Sequence, residues 1–367
     1  MNDSLYKRSF SNILVIKPSS LGDVVRCLPV LAGLRSRYPK ANISWLVRPD
    51  CADVLKTSGH LNKIIEFDRY HYGKISRSFR AASDFYRFCI FLRQRRFDLV
   101  LDLQGLFRSG FFAFCTGAPI RMGFAHAREL AGLFYTHRVS VPYKAEHVVD
   151  SYWRFGQYLG FFDQTKKFDL PIDPVAEKRA RKMLIQSQLP AKKPFAVLLI
   201  GGTRRAKRWP PDRFAALAEA LHKRYRMASV LLGAGATEGA AAKQLLKKAA
   251  CAEAHPKVRN AKKNIQIVNL VNKTNLLEAA AIIKNARLVV GNDSGPLHMA
   301  AALAVPLVGL YGPTDPVVVG PYGQSDGVVR AGSATQENER YSKKPEHRIE
   351  NITLEEVLET VESKIDY

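Results

Sequence analysis

The chain has 367 residues, 47% of them hydrophobic and 24% charged, with a formal net charge of +23. That length suits two domains with separate cores, and the composition excludes a long disordered polypeptide. The positive charge points to anionic partners (phosphorylated substrates, nucleic acid or an acidic membrane surface), while five scattered cysteines without a C-x-x-C pair argue against a disulfide framework or zinc site and fit a reducing cytoplasm.

The opening "MNDSLYKRSFSNILVIKPSS" lacks the apolar core and cleavage site of a secretory signal. The longest apolar stretch, "MAAALAVPLVGLYG", is too short to span a bilayer and is broken by Pro306. The expectation is a protein that does not cross a membrane but can lie against one.

In chain order, "ILVIK" leads into a helical pattern over Ser19–Arg37, "NISWLV" into Cys51–Thr57, and "FDLVLDLQG" into Leu106–Cys115. A second series follows: "FAVLLIGG" into Pro211–Tyr225, "ASVLLGAG" into Thr237–Ala250, "IQIVNLV" into Asn275–Asn285, "ARLVVGND" into Gly295–Ala304, and "PLVGLYG". Strand–loop–helix alternation is the signature of parallel α/β sheets, so the reading is two doubly wound halves joined near residues 170–177. The basic stretch "KKAACAEAHPKVRNAKKN" reads as a solvated helix end and loop, and "ITLEEVLETVESKI" as an amphipathic helix capped by Thr353.

Ligands of open parallel sheets bind beyond the carboxyl ends of the strands, which directs attention to four loops. In "IKPSSLGDVV", Asp23 falls in the first turn of a helix; it can simply complement the helix dipole, or it can accept a proton from a bound hydroxyl, with Ser19, Ser20 and Gly22 forming a close-approach loop. In "LLIGGTRRAKRWPPDRF", paired glycines, the Thr203 hydroxyl and the Lys207 charge suit a phosphate, against the alternative of a solvated basic loop. In "VVGNDSGPLHMAAALAVPLVGLYGPTDP", Ser294 and Gly295 can aim helix-terminal N–H groups at a phosphate, and His298 suits packing or capping as well as a ligand. In "LDLQGLFRSG", Gln104 and Arg108 can hold an anionic or hydroxylated acceptor. "GAGATEG" has the wrong spacing for a dinucleotide fingerprint, which counts against a nicotinamide-dependent oxidoreductase, and no nucleic-acid recognition motif supports a nucleic-acid-binding module.

Taken together, "IKPSSLGDVVRCLPVL", "LDLQGLFRSG", "GFAHARELAGLFYTHRVSVPYKAEHVVD", "TRRAKRWPPDRF" and "GNDSGPLHMAAALAVPLVGLYGPTDP" resemble glycosyltransferase family 9, the ADP-heptose:lipopolysaccharide heptosyltransferases, nearest to those adding the first heptose to Kdo-lipid A. The resemblance implies a GT-B fold, two Rossmann-like domains facing across a cleft: an acceptor domain over residues 1–172, a nucleotide-sugar domain over 173–345, and a final helix in 346–367 returning towards the first. It implies inverting, metal-independent transfer without a cofactor, with Asp23 as general base and Lys17 as its neighbouring cation. Thr203, Lys207, Glu238, Lys273, Asp293, Ser294, Gly295, Pro296 and His298 fall to the donor; Ser19, Ser20, Gly22, Gln104 and Arg108 fall to the acceptor. The expected partners are ADP-heptose, a Kdo-lipid A acceptor and the cytoplasmic face of the anionic inner membrane, with no nucleic acid and a monomeric chain. Gly202 and the form "GNDSGPLH" depart from the commoner family pattern, and Arg69, Tyr70, His71, Tyr72, Lys74, Arg77 and Arg80 suit either acceptor phosphates and lipid heads or plain solvation.

Overall fold

The computed structural model describes residues 5–142, 146–189, 193–253, 265–332, 341–342 and 344–365. The chain divides into two compact units, Met1–Pro171 and Ile172–Tyr367. The basic stretch expected to be a helix end and loop is helical to Glu253, and its remainder lies outside the described residues.

The first unit runs β1 (Asn12–Ile16), α1 (Leu21–Arg26), α2 (Leu28–Arg37), β2 (Asn42–Val47), α3 (Pro49–Lys56), β3 (Lys63–Glu66), α4 (Arg69–Tyr72), α5 (Phe79–Gln94), β4 (Leu99–Asp102), α6 (Phe107–Cys115), β5 (Ile120–Phe124), β6 (His137–Val139) and α7 (Val148–Tyr158). The second runs α8 (Pro174–Gln186), β7 (Phe195–Leu199), α9 (Pro211–Tyr225), β8 (Ala228–Leu232), α10 (Ala236–Glu253), β9 (Ile267–Asn269), α11 (Leu276–Lys284), β10 (Leu288–Asn292), α12 (Gly295–Ala302), β11 (Leu307–Tyr311), α13 (Pro316–Val319), β12 (Val328–Arg330) and α14 (Leu354–Ile365).

Both sheets are parallel, and both have the same order once each is counted from its own first strand: β3-β2-β1-β4-β5-β6 and β9-β8-β7-β10-β11-β12. This is the doubly wound Rossmann order, in which the chain reverses its direction of travel between the first and fourth strands. The two switch points therefore lie between β1 and β4, and between β7 and β10. The strands flanking them are apolar and fully buried along most of their length, as sheets covered on both faces require.

Local chemistry explains where the elements stop. The single helical pattern expected from Ser19 to Arg37 is broken at Cys27, because Pro29 has no N–H to continue the ladder and can only sit in the first turn of a new helix. Helices α2 and α7 approach closely around Phe161. A Cβ on Gly33 would lie 2.4 Å from that ring and one on Gly156 1.9 Å from it, so only glycine fits at either position. The cap expected at Thr353 is present: its hydroxyl accepts from the Glu356 N–H, and the Glu356 carboxylate accepts from the Thr353 N–H at 2.7 Å.

Val357, Leu358 and Val361 of the final helix, α14, are buried in the core of the second unit, with α9 and β11 among their neighbours. Three apolar residues within one turn-and-a-half commit that face to a single core. Among the described residues, no helix is long and apolar enough to cross a membrane.

Candidate active site

In the first unit, the loop leaving β1 carries the sequence-predicted acid and cation. Lys17 is 4% exposed, donates its ammonium to the Leu103 carbonyl beyond β4 at 3.0 Å, and lies 4.9 Å from the centre of the Tyr152 ring. Its own carbonyl accepts from the Trp45 indole at 3.2 Å. The residue thus spans the switch point. Burial works against its charge, but the Tyr152 oxygen and the Asp23 carboxylate outweigh it and hold its pKa above the ordinary lysine value.

Asp23 sits in the first turn of α1, its side chain 29% exposed. One oxygen accepts from the Ser20 N–H at 3.1 Å and from the Ser20 hydroxyl at 2.9 Å; the other accepts from Arg26 at 3.0 Å. Arg26 is itself fixed by the Gly22 carbonyl at 3.1 Å. Burial would raise the Asp23 pKa, yet Lys17, Arg26 and the two Ser20 donors hold it well below the usual carboxylate range. The neighbouring Cys27 thiol and Tyr152 phenol are each pushed up to about 12 by burial, so both are neutral near pH 7. The result is an ionised carboxylate that keeps part of its surface open, with neutral polar groups and two cations behind it.

The loop after β4 is built on a residue that sequence reading passed over. Asp102 is fully buried; it accepts from the Gln104 and Gly105 N–H groups at 2.9 and 3.2 Å and from the Tyr135 hydroxyl at 2.6 Å. Gly105 has φ +71°, a conformation that favours glycine, and the turn it makes sets Gln104 beside the Lys17–Leu103 bond. The Gln104 side-chain oxygen is buried without a hydrogen-bond partner in this structure, an acceptor available to a hydroxyl. Arg108 is exposed at the start of α6, its guanidinium 5.8 Å from the Phe67 ring centre.

In the second unit, the loops after β7 and β10 are locked together. Lys207 bonds the Asp293 carboxylate at 2.5 Å, and His298 lies 3.7 Å from its other oxygen. Burial would raise the Asp293 pKa; the neighbouring His298 ring and the Lys207 charge reverse this and hold it well below the ordinary range. Asn292, also passed over by the sequence reading as a site residue, donates to the Ile200 and Gly201 carbonyls at 3.1 Å each and accepts from the Trp209 N–H at 3.0 Å. Ser294 caps α12, with Gly295 and Pro296 as its first residues, so their turn faces the same end of the sheet as Thr203, which is exposed.

The remaining predicted donor residues follow the same strand ends. Glu238, in the first turn of α10, comes so close that a Cβ on Gly201 would lie 3.1 Å from its carboxylate. Lys273 is exposed beyond β9, and its loop is tied to the β8 loop through Asn272, whose side-chain oxygen accepts from the Gly235 N–H at 2.6 Å. The second unit therefore gathers Thr203, Lys207, Glu238, Lys273 and Asp293–His298 at the carboxyl ends of four adjacent strands. The first gathers Lys17, Ser19, Ser20, Gly22, Asp23 and Gln104 about its own switch point, with Arg108 one turn further on.

Two Rossmann-like units, each with charged loops at its switch point, define the GT-B fold class. Residues 85–349 match glycosyltransferase family 9 (heptosyltransferase), and the chain belongs to that family. Lipopolysaccharide heptosyltransferase 1 of Salmonella typhimurium is 28% identical over 319 residues, covering 85% of this chain and 92% of that protein. The Escherichia coli K12 protein of the same name is 27% identical over 357 residues, 96% of this chain and 99% of that one. Among solved structures, E. coli heptosyltransferase WaaC with ADP-2-deoxy-2-fluoro heptose superposes with a TM-score of 0.73 at 25% identity, covering 96% of this chain and 99% of that chain. A family 9 glycosyl transferase from Veillonella parvula gives 0.78 at 22% identity, covering 97% of each chain.

Proposed function

We propose that this glycosyltransferase moves heptose from ADP-heptose to a Kdo hydroxyl of the lipid A inner core, with inversion, at the cytoplasmic face of the inner membrane. The observation that carries the reading is the division of labour between the two switch points. One presents an ionised, part-exposed carboxylate; the other presents a lysine, hydroxyl donors and a helix N-terminus. The names of the relatives, lipopolysaccharide heptosyltransferases, supply the sugar and the pathway.

The acceptor hydroxyl attacks the anomeric carbon of the donor as the bond to the diphosphate breaks, and the bonding pair leaves with ADP. Lys207, the Thr203 and Ser294 hydroxyls and the α12 N-terminus neutralise that charge, while Lys273 and Glu238 contact the nucleoside. Asp293 holds Lys207 in place and does not itself touch a phosphate, since two anions would repel. Asp23 takes the acceptor proton late in the step, when the hydroxyl has become acidic enough for a weak base. The Gln104 oxygen accepts from an acceptor hydroxyl, and Arg108 faces an acceptor anion. Ser20 is committed to Asp23 and acts on the acceptor through it.

A second reading has one observation behind it: lipopolysaccharide heptosyltransferase 2 of Salmonella typhimurium is also 28% identical, over 324 residues, so a later core position is the alternative acceptor. Incubation with a panel of nucleotide sugars and of Kdo-lipid A acceptors with and without the first heptose, read by mass spectrometry, tests both. Heptose added only to the unheptosylated acceptor supports the first reading. Addition only to the heptosylated one moves the assignment to the second, and no transfer from ADP-heptose to either overturns both.

A further inference from the structure

Helix α5 has two apolar faces where a surface helix ordinarily has one. Ala81, Phe88 and Leu92 are buried beneath it. Phe79, Tyr86 and Ile90, at helical spacing on the opposite side, form a second stripe that is open to solvent, Phe79 at 91% and Tyr86 at 67% exposure. The neighbouring α6 carries a further exposed apolar set, joined to α5 through part-buried rings on the core-facing side of that helix. Phe85 stacks on Phe111 of α6 at 6.0 Å, Phe111 on Phe107 at 6.4 Å, and Phe134 meets Phe107 edge-on at 5.3 Å. Phe107, Phe114, Leu130 and Leu133 all present large exposed surface along this belt.

The rim is mainly cationic, with Glu129 the acid beside Leu130 that accepts from the Phe107 N–H. Arg77, Arg80, Arg87 and Arg128 are exposed around it, and from Arg69 to Arg96 the sequence contains a single acid, Asp84, which lies 3.0 Å from the His71 ring. Exposed apolar side chains gathered on adjoining elements in this way mark an interaction surface, and their composition selects the partner. A second copy of the chain would bring the same arginines against these, and a nucleic acid would leave the leucines and phenylalanines without a partner. A bilayer bearing anionic headgroups satisfies both sets at once, with aromatic and leucine side chains entering the headgroup boundary and arginines meeting phosphates.

We propose that the belt formed by α5, α6 and the turn Ala131–Phe134 is the surface by which the chain docks on an anionic phospholipid bilayer. This deepens the membrane setting proposed above and rests on it. The test is co-sedimentation of the full chain with vesicles of phosphatidylcholine alone or mixed with phosphatidylglycerol, in the absence of sugar nucleotide and acceptor. The wild type is expected to bind only the mixed vesicles, less as salt rises. Phe79→Ser with Leu133→Ser should lower its partitioning about tenfold or more, and Arg77→Gln with Arg80→Gln about fivefold per charge removed. Because Phe79 and Leu133 are exposed, the serine variant should fold normally and keep wild-type turnover on a soluble acceptor stripped of its acyl chains. Wild-type binding by that variant, no binding by the wild type, or a wild-type dimer that the serines dissociate would each overturn the proposal. The vesicle measurement involves no chemistry, so its failure is separable from a failure of heptose transfer.

Discussion

Lys207 and Asp293 stand 2.5 Å apart, one in the loop after β7 and the other in the loop after β10, the two strands that flank the second sheet's switch point. The pair has little exposed surface, and the Asp293 carboxylate depends on Lys207 and His298 for its charge. Lys207→Ala removes the cation assigned to the donor phosphates in the proposed mechanism and takes from the buried Asp293 carboxylate its lysine partner. Losing one charge-assisted contact predicts ADP binding weaker by about 10- to 100-fold. Isothermal titration calorimetry checks this; affinity unchanged from wild type would remove Lys207 from the donor site.

The same carboxylates give the protein an acid limit. Asp23 and Asp293 both have folded-state pKa values below their unfolded ones, so the unfolded chain binds more protons in the acid range and stability falls as pH falls. Their contribution is complete above the unfolded value, near pH 4, and is lost progressively below it. Asp102 has the opposite sign: burial raises its pKa despite the Tyr135 bond, so its contribution favours folding at low pH and is lost as pH rises. Urea denaturation of wild type and Asp293→Asn from about pH 5 downwards separates the terms. The variant should show a shallower loss of stability on acidification, and a parallel curve would contradict the assignment.

In the proposed mechanism Lys17 acts on the reaction through Asp23. Lys17→Met deletes a buried cation that depresses the Asp23 pKa, so the acid limb of the kcat/KM profile should move to higher pH. A fall in activity with an unmoved limb would mean that Lys17 serves only to tie β1 to β4.

Tyr135→Phe tests the support beneath Gln104. It removes the hydroxyl that Asp102 accepts from at 2.6 Å and leaves a buried carboxylate oxygen short of a donor. Destabilisation of about 1–3 kcal/mol is expected from urea unfolding. An unchanged midpoint would show that Asp102 is held adequately by the backbone of its own turn.

Much of this was legible in the sequence because parallel strands buried on both faces read as long apolar runs: β1, β2, β4 and β7 to β11 all stand out in that way. Strands β3, β5, β6 and β12 did not, being short or carrying lysine, arginine and histidine among few apolar residues. The loops after β1, β4, β7 and β10 were found because small residues and charges follow each run. Asp102, Asn292 and Tyr152 were not singled out. Their roles depend on partners such as Tyr135, Trp209 and Lys17 that lie far away in sequence, and a lone acid, amide or phenol in an apolar segment gives no sign of what it meets. The break at Cys27 was foreseeable from Pro29, and the residue pattern of α14 shows an apolar face but not which core it enters.

The most direct test of the central claim compares Asp23→Asn with wild type for donor affinity by calorimetry and for heptose transfer to Kdo-lipid A by mass spectrometry. The substitution keeps the size and the Ser20 contacts of the side chain while removing its charge. With Asp23 as the base, ADP-heptose should bind with near wild-type affinity while transfer falls by about 100-fold or more. Transfer at a near wild-type rate would contradict the assignment and return Asp23 to the role of a partner for the helix dipole.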